Sequence, residues 1–278
     1  MGAPSYLRCG EHVLDLARPR VMGILNVTPD SFADGGRHFE LERALDRARQ
    51  MLADGADLID VGGESTRPGA SPVAERTEMK RVLPVVEALA AENVLVSVDT
   101  TKPAVMRAAL AAGASLINDV RALTARGALA TVAGSGCGVC LVHMQGRPRT
   151  MQANPRYGDV VREVRDFLVA RALVVQGAGI ARDRIALDPG FGFGKTMAHN
   201  LALLRSLRTL AAAGYPVVAG LSRKATIGEI TGRAVDERMA GSLAGALATV
   251  ARGAAIVRVH DVRETVDALK VWLAIEAQ

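Results

Sequence analysis

The chain has 278 residues, a formal net charge of +5, 49% hydrophobic and 23% charged residues, and 3% aromatics. That balance allows a large core and excludes a disordered chain. The low aromatic content argues against a surface that stacks single-stranded nucleic acid, and the mild positive charge suits a pocket for a small phosphorylated anion better than a DNA face.

Three cysteines exclude a disulfide framework. No apolar run reaches the ~18 residues of a membrane span, and the first residues lack the apolar stretch of a signal peptide. The expectation is a cytoplasmic protein with small-molecule partners, without nucleic acid or membrane.

In chain order, Tyr6–Leu16 reads as a short hairpin around Gly10 that plugs the bottom of whatever follows. Eight short runs rich in Val, Ile and Leu come next: Val21–Val27, Leu58–Val61, Val94–Val98, Ser115–Asn118, Val139–His143, Arg184–Asp188, Val217–Leu221 and Ala255–His260. They are continuously apolar, as strands buried on both faces are. Segments with helical spacing alternate with them: Leu41–Ala53, Arg81–Ala91, Pro103–Ala112, Leu129–Ala133, Val160–Val175, Leu201–Ala213, Glu237–Ala251 and Glu264–Glu276. Several run into a glycine that suits a helix C-cap. The absence of a linker or composition shift favours one (β/α)8 barrel spanning residues 1–278 over an open doubly wound sheet. Three long connections, Thr28–Arg37, Gly62–Pro72 and Met144–Tyr157, follow strands and so belong to the C-terminal face, where barrel active sites lie.

The strand ends carry the chemistry. Asn26, Asp60, Asp99, Asn118, His143, Asp188, Lys224, Arg258 and His260 stand at or just past them. An aspartate directly after a mostly apolar run is costly to bury unless something pairs with it. Asp99, Asn118, Asp188 and Lys224 together suit a flat heterocycle with an amidine-like edge. Asn26, Arg67, Arg258 and His260 suit a phosphate or pyrophosphate. The chain has 5 lysines against 29 arginines, which draws attention to the ammonium of Lys224. Other signals are weaker. Pro189 stands where a phosphate-binding GxxxxGK[ST] loop needs glycine, so Gly190, Gly192 and Gly194 are read as tight turns or places of close backbone approach. Cys137 and Cys140 point to opposite faces of a strand and are read as buried structural thiols.

Two stretches go beyond a generic barrel: MGILNVTPDSFADGG (Met22–Gly36) and GADLIDVGGESTRPG (Gly55–Gly69). With SVDT, IND, DPGFGFGK, GLSRK and RVHDV following in order up to Val262, the chain resembles the dihydropteroate synthases, a family of pterin-binding barrels. The resemblance implies condensation of 6-hydroxymethyl-7,8-dihydropterin pyrophosphate with 4-aminobenzoate, giving 7,8-dihydropteroate and pyrophosphate. It implies that Asp99, Asn118, Asp188 and Lys224 hold the pterin, with Met144 on its ring. Asn26, Thr66, Arg67, Arg258 and His260 would hold the pyrophosphate, with Mg2+ bound through Asn26. Phe32, Pro68, Phe193 and Ser222 would border the aminobenzoate, with sulfonamide resistance acting at Phe32, Pro68 and Ser222. Asp99, Arg67, Lys224 and Asp30 would be the catalytic set. An SN1-like displacement behind loops that exclude water, and a homodimer, follow from the same resemblance. Two other readings are a corrinoid-dependent methyltetrahydrofolate methyltransferase and a catalytically silent pterin-binding paralogue. STRP, GLSRK and RVHDV argue against the first, and the presence of Asp30, Ser31, Phe32 and Arg67 against the second.

Overall fold

The computed structural model of the chain describes residues 4–28, 37–65 and 69–277. In chain order the elements are β1 (Tyr6–Cys9), β2 (His12–Asp15), β3 (Arg20–Asn26), α1 (Arg37–Ala53), β4 (Leu58–Gly62), α2 (Glu75–Ala91), β5 (Val96–Asp99), α3 (Pro103–Ala111), β6 (Leu116–Asp119), α4 (Ala128–Ala133), β7 (Gly138–Val142) and α5 (Val160–Gly177). They continue with β8 (Ile185–Asp188), α6 (Met197–Arg205), α7 (Leu207–Ala211), β9 (Val218–Ala219), α8 (Ala225–Thr231), α9 (Met239–Val250), β10 (Ile256–Val259) and α10 (Val262–Glu276). Strands β3 to β10 form one parallel sheet in the order β8-β7-β6-β5-β4-β3-β10-β9. A parallel bridge between Leu187 and Val217 joins its two ends. The result is a (β/α)8 barrel with a separate antiparallel hairpin, β1–β2, at its N-terminal end.

Period-two alternation sorts the strand residues into two layers. Val21, Ile59, Val61, Val96, Val98, Ile117, Val139, Leu141, Ile185, Leu187 and Val257 face outward and pack with the helices. Met22, Leu58, Leu116, Cys140, Ala186, Val218 and Ile256 face inward and form a second cluster with Leu7, Cys9 and Leu14 of the hairpin. The hairpin therefore closes the bottom of the barrel. It lies so close that a Cβ at Gly138 would stand 2.9 Å from Cys9 Sγ and 3.0 Å from Arg8 O. Cys137 packs in the outer layer and Cys140 in the inner one, both as free buried thiols.

The helices depart from the sequence expectation in three places. Helix α2 starts at Glu75, six residues before Arg81, and carries Pro84 within it. The polar run ERTEMK hides this start, although Glu75 and Glu78 in the first turn favour it electrostatically. The expected Leu201–Ala213 helix is broken at Ser206 into α6 and α7. Helix α8, directly after Lys224, was not anticipated. It is only seven residues long and ends at Gly232 in the left-handed region.

Candidate active site

The alternation that fills the barrel with hydrocarbon puts polar residues in its last inward layer. Two residues beyond Leu58 comes Asp60, two beyond Leu116 comes Asn118, two beyond Ala186 comes Asp188, and two beyond Ile256 comes Arg258. Asp99, two beyond Ser97, completes the ring. Asp60, Ser97, Asp99, Asn118 and Asp188 are all buried.

Arg258 is the hub. Its Nε donates to Asp60 Oδ2 at 2.6 Å and its Nη2 to Asp99 Oδ2 at 3.1 Å. Asp60 also accepts from Ser97 Oγ (2.5 Å) and from Asn118 Nδ2 (3.2 Å). These bonds spend the amide donor of Asn118 on the protein and turn its carbonyl oxygen the other way. Asn118 Oδ1 and Asp99 Oδ1 are consequently buried acceptors with no protein partner. Buried acceptors of this kind are costly unless a ligand supplies donors. The site thus presents the pairing surface of a molecule rich in N–H groups.

Electrostatics sharpen this reading. Burial pushes the Asp99 carboxyl up to about 7, against the opposing pull of Arg258 and with a further upward push from Asp60. Burial also raises Asp188, opposed by Lys224. Lys224 is drawn down to about 8, chiefly by burial and against the attraction of Asp188. Its Nζ donates to Phe191 O and lies 4.6 Å from the Phe193 ring centroid.

The backbone that delivers Lys224 has an unusual turn. Arg223 has φ +58°, in the left-handed region. Its side chain pairs with Asp261, Nε to Oδ2 at 3.0 Å, and its N–H donates to Ser242 Oγ (2.9 Å). Ser222 meets His260, with Oγ 3.0 Å from Nδ1 and accepting from the His260 N–H at 3.2 Å. Beside them a cavity of about 540 Å3 is lined by the polar residues Asn26, Arg43, Asp46, Arg47, Arg223 and His260. Arg47 Nη2 donates to His260 O (3.3 Å), and with three arginines against one carboxylate this side of the mouth is basic.

The structure therefore brings Asp99, Asn118, Asp188, Lys224 and Arg258 together on one side and Asn26 and His260 beside the basic cavity. Met144 and Phe193 are partly buried against the inward cluster. Asp30, Phe32, Thr66, Arg67 and Pro68 lie outside the described residues. Just before Thr66 in the chain, Glu64 accepts from Lys102, which also bonds the buried Glu78, while Arg81 Nη1 donates to Gly63 O (2.7 Å).

The family described as pterin binding enzyme matches residues 22–260. A dihydropteroate synthase of Haemophilus influenzae is 52% identical over 262 residues, 94% of this chain and 95% of that protein. The structure of Xanthomonas albilineans dihydropteroate synthase with 4-aminobenzoic acid superimposes with a TM-score of 0.93 at 52% identity, covering 99% of both chains. Burkholderia cenocepacia dihydropteroate synthase complexed with 7,8-dihydropteroate gives 0.91 at 52% identity, covering 100% of this chain and 98% of that one. The chain belongs to the dihydropteroate synthase family. Its members are transferases of folate biosynthesis.

Within this dihydropteroate synthase fold, two residues that the sequence reading left without a role are central. Asp60 was visible only as one more strand end, yet it orients both Asn118 and Arg258. Lys195 was passed over inside DPGFGFGK, yet it is 2% exposed. The scarcity of lysine that drew attention to Lys224 applied equally to Lys195. Two of the three glycines of that motif, Gly190 and Gly194, approach backbone closely, and what they approach is another loop of the protein. A Cβ on Gly190 (φ +68°) would fall 1.9 Å from His143 O.

Proposed function

We propose that this chain condenses 6-hydroxymethyl-7,8-dihydropterin pyrophosphate with 4-aminobenzoate to give 7,8-dihydropteroate and pyrophosphate. The observation that carries the reading is the pair of unpartnered buried acceptors, Asp99 Oδ1 and Asn118 Oδ1, held open by Asp60 and Arg258. A reduced pterin offers N–H donors to Asp99, Asp188 and Asn118, and its carbonyl accepts from Lys224.

In this mechanism the C–O bond between the exocyclic methylene and the pyrophosphate breaks with its electron pair going to oxygen. The electron-rich reduced ring disperses the positive charge left on carbon, and ionised Asp99 and Asp188 stabilise it through the ring N–H groups. The aniline nitrogen then bonds to the methylene and loses a proton. Arg258 and His260 are assigned to the developing negative charge on pyrophosphate, and Asn26 lines the same cavity as His260. Arg67 and Asp30 are assigned to the same step from the motifs that contain them, and Thr66 to the pyrophosphate. Water is the competing nucleophile, so the loops bearing these residues act by excluding it.

A magnesium ion fits the donor set on the pyrophosphate side. Mg2+ favours oxygen ligands and commonly binds through few protein groups plus substrate phosphates. Asn26 supplies one amide oxygen, and the described residues contain no cluster of three metal-binding side chains. Asn26 would hold the ion against the pyrophosphate, where it would neutralise phosphate charge. Phe193 and Ser222, with Phe32 and Pro68, are proposed to border the aminobenzoate, which makes this the region where sulfonamides compete. Met144 is proposed to pack on the pterin ring.

The chain is further proposed to act in the cytoplasm as a homodimer. Val271 and Ile275 on α10 and Met239 on α9 are exposed apolar side chains suited to a subunit contact. Light scattering would give twice the chain mass, and Ile275→Glu would lower it.

The deciding assay is pyrophosphate release from the dihydropterin pyrophosphate with Mg2+, with and without 4-aminobenzoate, and the product identified by mass. Aminobenzoate-dependent formation of dihydropteroate is expected. Pterin binding without turnover would point to a silent paralogue, and no binding would overturn the assignment of the strand-end ring.

A further inference from the structure

The loop after β8 is fastened to the loop after β7 more firmly than a surface turn requires. Gly190 N–H donates to Asp188 Oδ1 (2.7 Å), and Gly192 N–H to Asn200 Oδ1 (2.9 Å). Gln152 spans it, with Nε2 donating to Gly192 O (2.9 Å) and Oε1 accepting from Lys195 N–H (3.1 Å). Tyr157 OH donates to Gly194 O (2.8 Å).

Lys195 sits beneath all of this. Its Nζ lies 3.0 Å from Gly190 O, 3.1 Å from Phe193 O, 3.2 Å from His143 O and 2.9 Å from His143 Nδ1. Three protons face four acceptors, three of them backbone carbonyls from two different loops. Burial and the Lys195 charge draw His143 down to about 3, so its imidazole is neutral and its Nδ1 accepts from the ammonium. Burial likewise draws Lys195 down to about 7, against the pull of Asp188 and helped by Lys224. An apolar residue could have filled this position without that cost.

What the buried ammonium fixes is the shape of residues 190–194. That segment carries Phe191 O, which anchors Lys224, and the Gly190 N–H, which orients Asp188. We propose that Lys195 is a positioning residue for the pterin: it folds the glycine loop over the His143 carbonyl and so aims Asp188 and Lys224 without touching substrate. His143 serves as its acceptor, and Gln152 is an outer strap on the same loop.

The inference rests on the proposed condensation, so the wild-type protein is measured first. If wild type neither binds nor consumes dihydropterin pyrophosphate, that reading fails and this one with it. If wild type does both, Lys195→Met is compared for melting temperature, calorimetric Kd for dihydropterin pyrophosphate, and KM for each substrate. A rise of ten-fold or more in Kd and KM for the pterin, with a smaller change for aminobenzoate, is expected. A folded Lys195→Met that binds the pterin as wild type does would overturn the proposal, because a residue needed only for stability lowers the melting temperature without moving Kd. If Lys195→Met does not fold, Gln152→Ala decides. Gln152 is exposed, so its loss spares the core. A three-fold or greater rise in pterin KM at near-unchanged melting temperature supports the loop's role, and an unchanged KM overturns it.

Discussion

The two ends of the barrel are made by the same strands and the same alternation, and they are filled oppositely. At the N-terminal end Leu7, Cys9 and Leu14 of the hairpin press on Met22, Leu58, Leu116 and Ile256. At the C-terminal end, two residues further along those strands, stand Asp60, Asn118 and Arg258. The lower layer is stabilised by removing apolar surface from water, at roughly 25 cal/mol per Å2. The upper layer contains charges whose burial is only partly compensated and whose spare acceptors await a ligand. A change at the bottom should therefore alter stability and leave chemistry alone, whereas a change at the top should alter both or chemistry alone.

The severest test is Arg258→Met. It strands Asp60 and Asp99 without their shared partner, and breaking a buried pair costs about 3–5 kcal/mol. Chemical denaturation should show that loss, and pterin binding should fall with it. A variant of unchanged stability would mean the two carboxylates do not depend on the guanidinium. Next is Leu7→Ala in the plug, where a core leucine truncation costs about 2–5 kcal/mol. Denaturation should register it while kcat and both KM values stay within two-fold. A shifted KM would show that the two ends are coupled through the barrel.

A subtler probe is pH. Asp99 has its folded-state pKa raised to about 7. Its contribution to folding is therefore greatest at low pH and is lost as pH rises from the normal carboxylate range through about 7. Pterin N–H donors favour the ionised form, so pterin affinity should increase across the same window, with proton release on binding below pH 7. Calorimetry in buffers of different ionisation enthalpy measures this, and Asp99→Asn should abolish it. The smallest effect is expected at the thiols. Burial pushes Cys9 up to about 12 and also raises Cys137 and Cys140. Alkylation of the native protein should therefore be slow and without consequence for activity.

The contrast between the ends also explains what was legible in the sequence. Continuous apolar runs betrayed the strands because both faces of a barrel strand are buried, and the polar residue closing each run marked the mouth. The pairings were hidden. Nothing in LIDVG, SVDT and RVHDV says that Asp60 and Asp99 share one arginine, since Arg258 is separated from them by 198 and 159 positions. Lys195 is obscured by the glycines around it, which suggest a tight turn or a close backbone approach. The short α8 was missed because ATIGEIT is too brief to show a helical face. Strand β9 was expected to run from Val217 to Leu221, but only Val218–Ala219 form the strand, since Gly220 and Leu221 already lead into the turn at Arg223.

The plug has a consequence for how the chain is made. Its hairpin is synthesised before every strand of the barrel, but the floor it seals includes Val218 of β9 and Ile256 of β10. Likewise β3 has one neighbour in β4 and finds its other only in β10. Neither the seal nor the closed ring can exist until β10 has been synthesised. Until then the nascent chain carries an open parallel edge and an undocked apolar hairpin, the kind of surfaces that chaperones cover.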